Sequence, residues 1–179
     1  MDENLDKKLC EDFPLLYVDR NASMQTTCMC WGFPGDGWHS IIRELSSKLE
    51  SLIQKFIDEN PNLPCRWCSV EKDVHEQGWH SEGRWEDDGV SKHYVCHGPN
   101  GYEAEYPRAS QVKEKYASLR FYMTSASNEM YDLIREYERK STITCEDCGA
   151  PGKLRGGRYY VTQCDDCAKG KPEILRIIS

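Results

Sequence analysis

An α+β fold is predicted, in which two helices pack on a small sheet and a Cys/His-rich insertion interrupts the chain. Apolar residues recur at three- and four-residue steps after Trp38, apolar and polar residues alternate through 118–123, and cysteines are paired as C-x2-C near the C-terminus. With 179 residues, of which 39% are hydrophobic, the chain has material for one core and an appendage. This size argues against a several-domain enzyme.

Composition divides the chain into three parts. Residues 1–60 and 111–142 are predicted to form the α+β core, residues 61–110 the insertion, and residues 143–179 a cysteine-rich end. The insertion holds four of the five histidines but has no long periodic segment. A stretch of this length without its own apolar core needs another source of order, and metal ligands are the obvious candidate.

The clearest helix is predicted at residues 38–59, because its apolar side chains share one face. The glycine-rich segment 35–38 is interpreted as the entry to this helix, with Asp36 or Ser40 as the N-cap. Asn60, which precedes a proline, ends it. The apolar face consists of Ile41, Ile42, Leu45, Leu49, Leu52, Ile53 and Phe56.

A half-buried strand is predicted at 118–123, where apolar and polar side chains alternate. A second helix is predicted near 126–140, with Ser125 or Ser127 at its start. Residues 1–34 show little periodicity and are expected to form an extended lead-in. The sequence therefore places one strand and two helices around the core.

Charge and cysteine content limit the class of protein. The formal net charge is -7, so the chain as a whole repels a phosphate backbone and is not a general nucleic-acid coat protein. No run of eighteen apolar residues and no signal-like N-terminus is present. Because C-x2-C pairs account for six of the ten cysteines, we expect metal binding in a reducing cytoplasm instead of disulfides.

The C-terminal cysteines have the spacing of a structural zinc site. Cys145-x2-Cys148 is followed after fifteen residues by Cys164-x2-Cys167, and two such pairs supply the tetrahedral four-sulfur shell that zinc prefers. Residues 153–161, between the pairs, are typical of a β-hairpin with a glycine turn. We predict a zinc ribbon in which the metal contributes about 10 kcal/mol to folding. A closed four-thiolate shell leaves no position for water, so this zinc is structural and not catalytic.

A second zinc site is predicted in the insertion. Cys65-x2-Cys68 forms another candidate knuckle, and His93-x2-Cys96 follows it as a second pair of the same spacing. We prefer His93 and Cys96 as the remaining ligands, because a pair spaced in this way presents both ligands from one turn. Two zinc ions per chain are therefore predicted.

Other ligand sets remain open for this second site. His75 and His80 would close a compact Cys2His2 shell, and one of them left near Glu76 would resemble a hydrolytic zinc centre. No H-E-x-x-H motif accompanies them. Cys28 and Cys30 point to opposite faces of an extended chain, although one of them would suffice to complete a mixed site.

Basic and aromatic residues coincide on the predicted terminal hairpin. This combination favours binding of single-stranded nucleic acid, because cations contact phosphates and aromatic rings stack with bases. The residues are Lys153, Arg155 and Arg158 with Tyr159 and Tyr160. Five acidic residues in 143–179 weaken this positive field. Nucleic-acid binding is therefore an alternative function and not the first.

Three segments in a fixed order carry a resemblance. GDGW at 35–38, VKEKY with LRFY within 112–122, and CEDCG at 145–149 resemble a group of small phage- and prophage-encoded zinc-ribbon proteins without an assigned activity. The resemblance covers residues 28–58 and 111–167. Tyr116-Ala117 replaces the group's usual Phe-Gly, and the insertion has no counterpart, so the group does not inform the insertion's role.

The resemblance implies a protein of the host cytoplasm, acting as an accessory factor on a host protein or defence system. Our first hypothesis is accordingly a non-enzymatic binding protein, in which zinc fixes surface loops for a protein partner from host or phage. The acidic insertion, rich in Trp and Tyr, is its expected contact surface. A nucleic-acid-binding ribbon is the second hypothesis, and a zinc-dependent hydrolase is the third.

Overall fold

A computed structural model describes residues 1–24, 27–29, 32–76 and 101–175, with the backbone of 85–87 and 92–94. These residues form helices and three small two-stranded antiparallel sheets, which confirms a mixed α and β fold for them. In chain order the elements are α1 (Glu3–Asp12), a 3-10 turn (Asp36–Trp38), α2 (His39–Glu59), α3 (Lys72–Glu76), β1 (Trp85–Asp87), β2 (Lys92–Tyr94), β3 (Ala109–Glu114), β4 (Leu119–Met123), α4 (Asn128–Ser141), β5 (Lys153–Arg155), β6 (Val161–Gln163) and α5 (Asp165–Ala168).

The chain forms two compact units. Unit 1 contains Met1–Ile53 and Pro107–Ser179, and unit 2 contains Gln54–Tyr106. The cysteine-rich end at 143–179 therefore belongs to the same unit as the core. Among the described residues, no helix has both the length and the apolar character needed to cross a membrane.

Helix α1 corrects the prediction of an extended lead-in at residues 1–34. Asp2 caps the helix by accepting the backbone N–H of Asn4 at 2.9 Å, and Leu9 is fully buried. Exposed ion pairs at i,i+4 spacing on the outer face, such as Lys7 with Glu11, stabilise the helix. The narrow apolar stripe explains why periodicity alone does not reveal this helix.

Helix α2 confirms the helix predicted at 38–59. Its buried side chains face the core of unit 1, and Trp38, at the end of the preceding 3-10 turn, is also fully buried. The Asp36 carboxylate accepts the backbone N–H of Asp2 at 2.6 Å and so ties the start of the chain to this turn. The core residues contributed by α2 are Ile42, Leu45, Leu49 and Ile53.

Strands β3 and β4 form a hairpin, of which β4 confirms the strand predicted at 118–123. Leu119 and Phe121 face the core, and the residues that alternate with them along the strand face outward. The chain reverses at Tyr116 and Ala117, whose φ angles are 54° and 58°. Two successive positive φ angles characterise the type I′ turn, which matches the twist of a two-residue hairpin.

Helix α4 packs on β4 and covers its free edge. Ser127 caps the helix, as one of the two predicted starts, by accepting the N–H of Met130 at 3.2 Å. Near the other end, Ser141 Oγ accepts the N–H of Leu119 at 2.8 Å, and a Glu138 carboxylate oxygen accepts that of Phe121 at 3.1 Å. These side chains occupy backbone donors that would otherwise pair with another strand.

The hairpin turn offers a test by substitution. We expect Ala117→Gly to be nearly neutral, because relief of the left-handed φ, roughly 1–2 kcal/mol, offsets the loss of a fully buried methyl group, about 1 kcal/mol. Equilibrium urea unfolding measures this change. Ala109→Gly is the matched control, since Ala109 is equally buried but has no positive φ, and this change should destabilise the protein by about 1 kcal/mol or more. A loss of stability with Ala117→Gly as large as that with Ala109→Gly would contradict the turn assignment.

Unit 2 contains α3, the β1–β2 hairpin and a segment at 103–105 that pairs with 64–66. Glu105 N–H donates to Pro64 O at 2.8 Å, and Arg66 N–H donates to Glu103 O at 2.8 Å. Cys65 and Leu63 are the buried apolar side chains of this unit among the residues that the structure describes.

Candidate metal centres

The four C-terminal cysteines meet at one point. The sulfur atoms of Cys145, Cys148, Cys164 and Cys167 all lie within 4.8 Å of one another, and 3.6 Å separates those of Cys148 and Cys164. A tetrahedral zinc centre with Zn–S bonds of about 2.3 Å places its sulfurs about 3.8 Å apart. A disulfide would bring two sulfurs to about 2 Å. The cluster therefore fits a metal ion and not a pair of disulfides.

The first pair of cysteines lies on a tight turn whose backbone bonds define a knuckle. Cys145 N–H donates to Ala150 O at 2.7 Å, and Gly149 N–H donates back to Cys145 O at 2.9 Å. Thr144 and Pro151 flank the turn as an antiparallel bridge. Gly149 has a φ of +79°, a conformation that glycine adopts without strain.

The second pair follows the β5–β6 hairpin, which confirms the hairpin predicted within 153–161. Cys164 is the N-cap of α5, and its sulfur accepts the backbone N–H of Cys167 at 3.4 Å. Glu146 N–H donates to Thr162 O at 2.9 Å and joins the knuckle to β6. Short hydrogen-bonded elements thus hold both pairs.

The local electrostatics of the cluster favour a bound cation. Burial raises the pKa of the Cys145 thiol, but backbone N–H groups, among them those of Cys164 and Cys148, together outweigh it and bring that pKa down to about 7. The neighbouring cysteine sulfurs, first that of Cys164, raise the pKa of Cys167 well above its usual range. Four thiolates so close together repel one another, and a divalent cation removes that repulsion.

The GDGW segment packs directly against the first knuckle. Gly37 N–H donates to Glu146 O at 2.8 Å, and the indole N–H of Trp38 donates to Thr144 O at 2.8 Å. A Cβ on Gly37 would lie 2.2 Å from Cys145 O, so only glycine permits this approach. The sequence interpretation as a helix entry is correct but incomplete, since the same residues also position the metal ligands.

A second group forms in unit 2. The sulfur atoms of Cys65 and Cys68 and a ring nitrogen of His75 lie within 4.8 Å of one another. Cys65 and His75 are buried. Both clusters could therefore hold a metal ion, and His75, which belonged to the alternative ligand set, is the histidine that the described part of the chain places beside these cysteines.

The preferred ligands of the second site are not tested. The backbone of His93 lies in β2, opposite Glu86 of β1, but its side chain lies outside the described residues. Cys96 and His80 also lie outside them. The assignment of His93 and Cys96 stays a prediction.

Other cysteines lie apart from these clusters. Cys28 is exposed, and its N–H donates to Ser110 O at 3.0 Å, while Cys30 lies outside the described residues. Cys10 packs beside Asp6 and Arg20, and burial, with the Asp6 charge, raises the pKa of its thiol to about 11. Cys10 is therefore a protonated thiol near neutral pH and a poor metal ligand.

The basic residues of the terminal hairpin are mostly paired with acids. Lys153 Nζ lies 3.0 Å from a Glu173 carboxylate oxygen, and the buried Arg155 guanidinium donates to Asp165. Arg158 lies over the ring of Tyr159, 5.6 Å from its centroid. The acidic residues that the sequence places in this segment thus neutralise two of its three predicted nucleic-acid contacts.

Comparisons with known proteins give no relative. No family model, curated protein or solved structure matches the chain. The resemblance to phage-encoded proteins therefore stays a prediction, and the arguments about function depend on the residues themselves.

Proposed function

We propose that the chain is a non-enzymatic zinc-binding protein that binds a protein partner through an exposed face of the β3–β4 hairpin. The observation that carries the proposal is the convergence of four cysteine sulfurs, which would fill the coordination shell of one zinc ion. A zinc ion with four thiolate ligands stabilises structure and has no position for substrate. In this proposal the described residues 143–175 belong to the zinc ribbon that the sequence predicts at 143–179.

The insertion at 61–110, the contact surface expected from sequence, lies partly outside the described residues and stays untested. We place the contact surface instead on the tyrosine–lysine face, which we define as Lys113, Lys115, Tyr116, Arg120 and Tyr122. Lys113 and Arg120 are direct cross-strand partners, and Tyr122 is two residues from Arg120, so all three lie on the outer side of the hairpin. Lys115 and Tyr116 continue the face into the turn, where the Tyr116 side chain is 73% exposed. Exposed tyrosines beside cations are typical of protein interfaces.

One feature of this face does not serve the fold. Lys113 and Arg120 place like charges directly opposite each other, which is unfavourable in an isolated hairpin. The Glu138 carboxylate, 3.5 Å from Arg120, offsets part of that repulsion. A partner that supplies carboxylates would offset the rest, so we assign the face to an acidic protein segment.

A protein partner suits this face better than single-stranded nucleic acid. Lys113 Nζ lies 5.2 Å from the centre of the Tyr122 ring, and Lys115 Nζ lies 5.3 Å from that of Tyr116. Each ammonium group therefore covers a ring face on which a base would have to stack. The resemblance to phage-encoded proteins supports a host protein as partner, in host takeover or counter-defence.

Charge reversal tests this surface. We expect the double change Lys113→Glu and Lys115→Glu to weaken binding to a glutamate-rich peptide at least tenfold with zinc content unchanged, because both side chains project from the hairpin. Thermal stability should be equal or slightly higher, since Lys113→Glu replaces the like-charge pair with Arg120 by an opposite-charge pair. Fluorescence anisotropy at about 150 mM salt measures the affinity, where charges beyond about 8 Å are screened. The same variants then serve in partner capture from host lysate.

The control is Lys7→Glu with Lys8→Glu, which makes the same change in net charge on α1. This control should bind like the wild type. Equal peptide binding by the wild type and the Lys113→Glu, Lys115→Glu variant would exclude the tyrosine–lysine face as the contact surface. Binding of a single-stranded oligonucleotide in preference to the peptide at this salt concentration would exclude a protein partner and favour nucleic acid.

A further inference from the structure

The turn at 64–71 in unit 2 has the same backbone bonds as the knuckle of the four-cysteine centre. Cys65 N–H donates to Val70 O at 2.8 Å, and Ser69 N–H donates back to Cys65 O at 2.8 Å. Pro64 and Glu71 flank the turn as an antiparallel bridge. Each contact joins the same positions, counted from the first cysteine, as its counterpart at 144–151.

The backbone conformation after the second cysteine also agrees. Ser69 has a φ of +60°, and the equivalent Gly149 has a φ of +79°. A left-handed conformation is unfavourable for serine, so the turn is adopted against a local preference. In both turns this geometry presents the two cysteine sulfurs to one side, and in unit 2 these are the sulfurs of Cys65 and Cys68.

His75 is positioned as a third donor to the same point. It lies in α3, directly after the turn, with its N–H donating to Glu71 O at 2.8 Å, and its side chain is fully buried. The Tyr102 ring packs edge-on against the imidazole, with ring centres 5.3 Å apart. Tyr102 is itself held in place, because its hydroxyl donates to Leu63 O at 2.8 Å. The imidazole orientation is thus fixed before a ligand arrives.

We propose that Cys65, Cys68 and His75 bind a second zinc ion that orders unit 2. Two thiolates and an imidazole are ligands that zinc prefers, and a knuckle of this form is suited to a tetrahedral shell. One further donor would complete the four ligands of the shell. The metal would link the turn at 64–71 to α3, since its ligands come from both.

Zinc counting by native mass spectrometry tests the assignment. The wild type should hold two ions, and His75→Phe should hold one, because phenylalanine keeps the ring packing against Tyr102 but cannot bind metal. His75→Cys should keep two ions, since it restores a ligand. Ser69→Gly should also keep two, because glycine suits the left-handed turn. His39→Phe, a histidine change in unit 1, is the matched control and should keep two.

Separate substitutions should remove the zinc ion from each of the two sites. Cys148→Ser should lose the ion of the four-cysteine centre and keep the one in unit 2, and combining it with His75→Phe should remove both. Retention of two ions by His75→Phe would overturn the role of His75. A wild type with a single ion that Cys148→Ser removes would overturn the second site and leave the four-cysteine centre intact. Cobalt substitution provides an independent readout, because His75→Phe should remove part of the cobalt–thiolate absorption.

Discussion

Cys148→Ser is expected to remove one zinc ion per chain and to unfold most of unit 1. The Cys148 side chain is exposed, so serine removes no buried packing and the effect reports the metal. A structural zinc site contributes on the order of 10 kcal/mol, which is comparable to the whole stability of a typical domain, about 5–15 kcal/mol. Thermal unfolding followed by circular dichroism, together with zinc counting, measures both losses.

Cys28→Ser is the matched control, since Cys28 is also exposed but lies outside the cluster. It should keep the zinc content and the melting temperature of the wild type. Removal of zinc by a chelator should reproduce the effect of Cys148→Ser on unit 1. A metal-free protein with an unchanged melting temperature would contradict a structural role for the four-cysteine centre.

Gly37→Ala is expected to destabilise unit 1 by about 3 kcal/mol or more and to weaken zinc binding. The new Cβ would lie 2.2 Å from Cys145 O and 2.6 Å from Cys148 N, and both are backbone atoms of the knuckle that cannot rotate away. The knuckle must therefore shift, and the Gly37 bond to Glu146 O would be lost or distorted. A drop of about 10 °C in melting temperature should accompany the change.

Ser40→Ala, three residues later on the exposed side of α2, controls for altered helix propensity and should be nearly neutral. A zinc competition assay with a chromophoric chelator measures the affinity of both variants. If Gly37→Ala folds and binds zinc like the wild type, the packing of the GDGW segment against the knuckle is not needed for the metal site.

Local pattern was sufficient to predict several elements. The long amphipathic repeat of α2, the alternation of β4 and the Ser127 cap of α4 each depend on neighbours within one or two turns of chain. The ligands of the four-cysteine cluster were also predictable, because the x2 spacing fixes the geometry of each knuckle. In these cases the interactions that determine the structure are local.

Other features were not predictable from pattern. Helix α1 was missed because a cap and surface ion pairs support it more than an apolar stripe does. The preference for His93 and Cys96 stays a prediction, whereas the position of His75 beside Cys65 and Cys68 depends on α3 and on Tyr102, which is distant in sequence. A basic hairpin was expected, but acids from later in the chain pair with Lys153 and Arg155.

The sequence by itself determined the fold class, the main helices and the cysteines of the terminal cluster, since short-range spacing and periodicity encode them. Only the tertiary structure decided what the GDGW glycines contact, how closely His75 approaches Cys65 and Cys68, and which cations remain on the surface. Those outcomes depend on how backbone segments and charged side chains meet in three dimensions, and no local pattern carries that information.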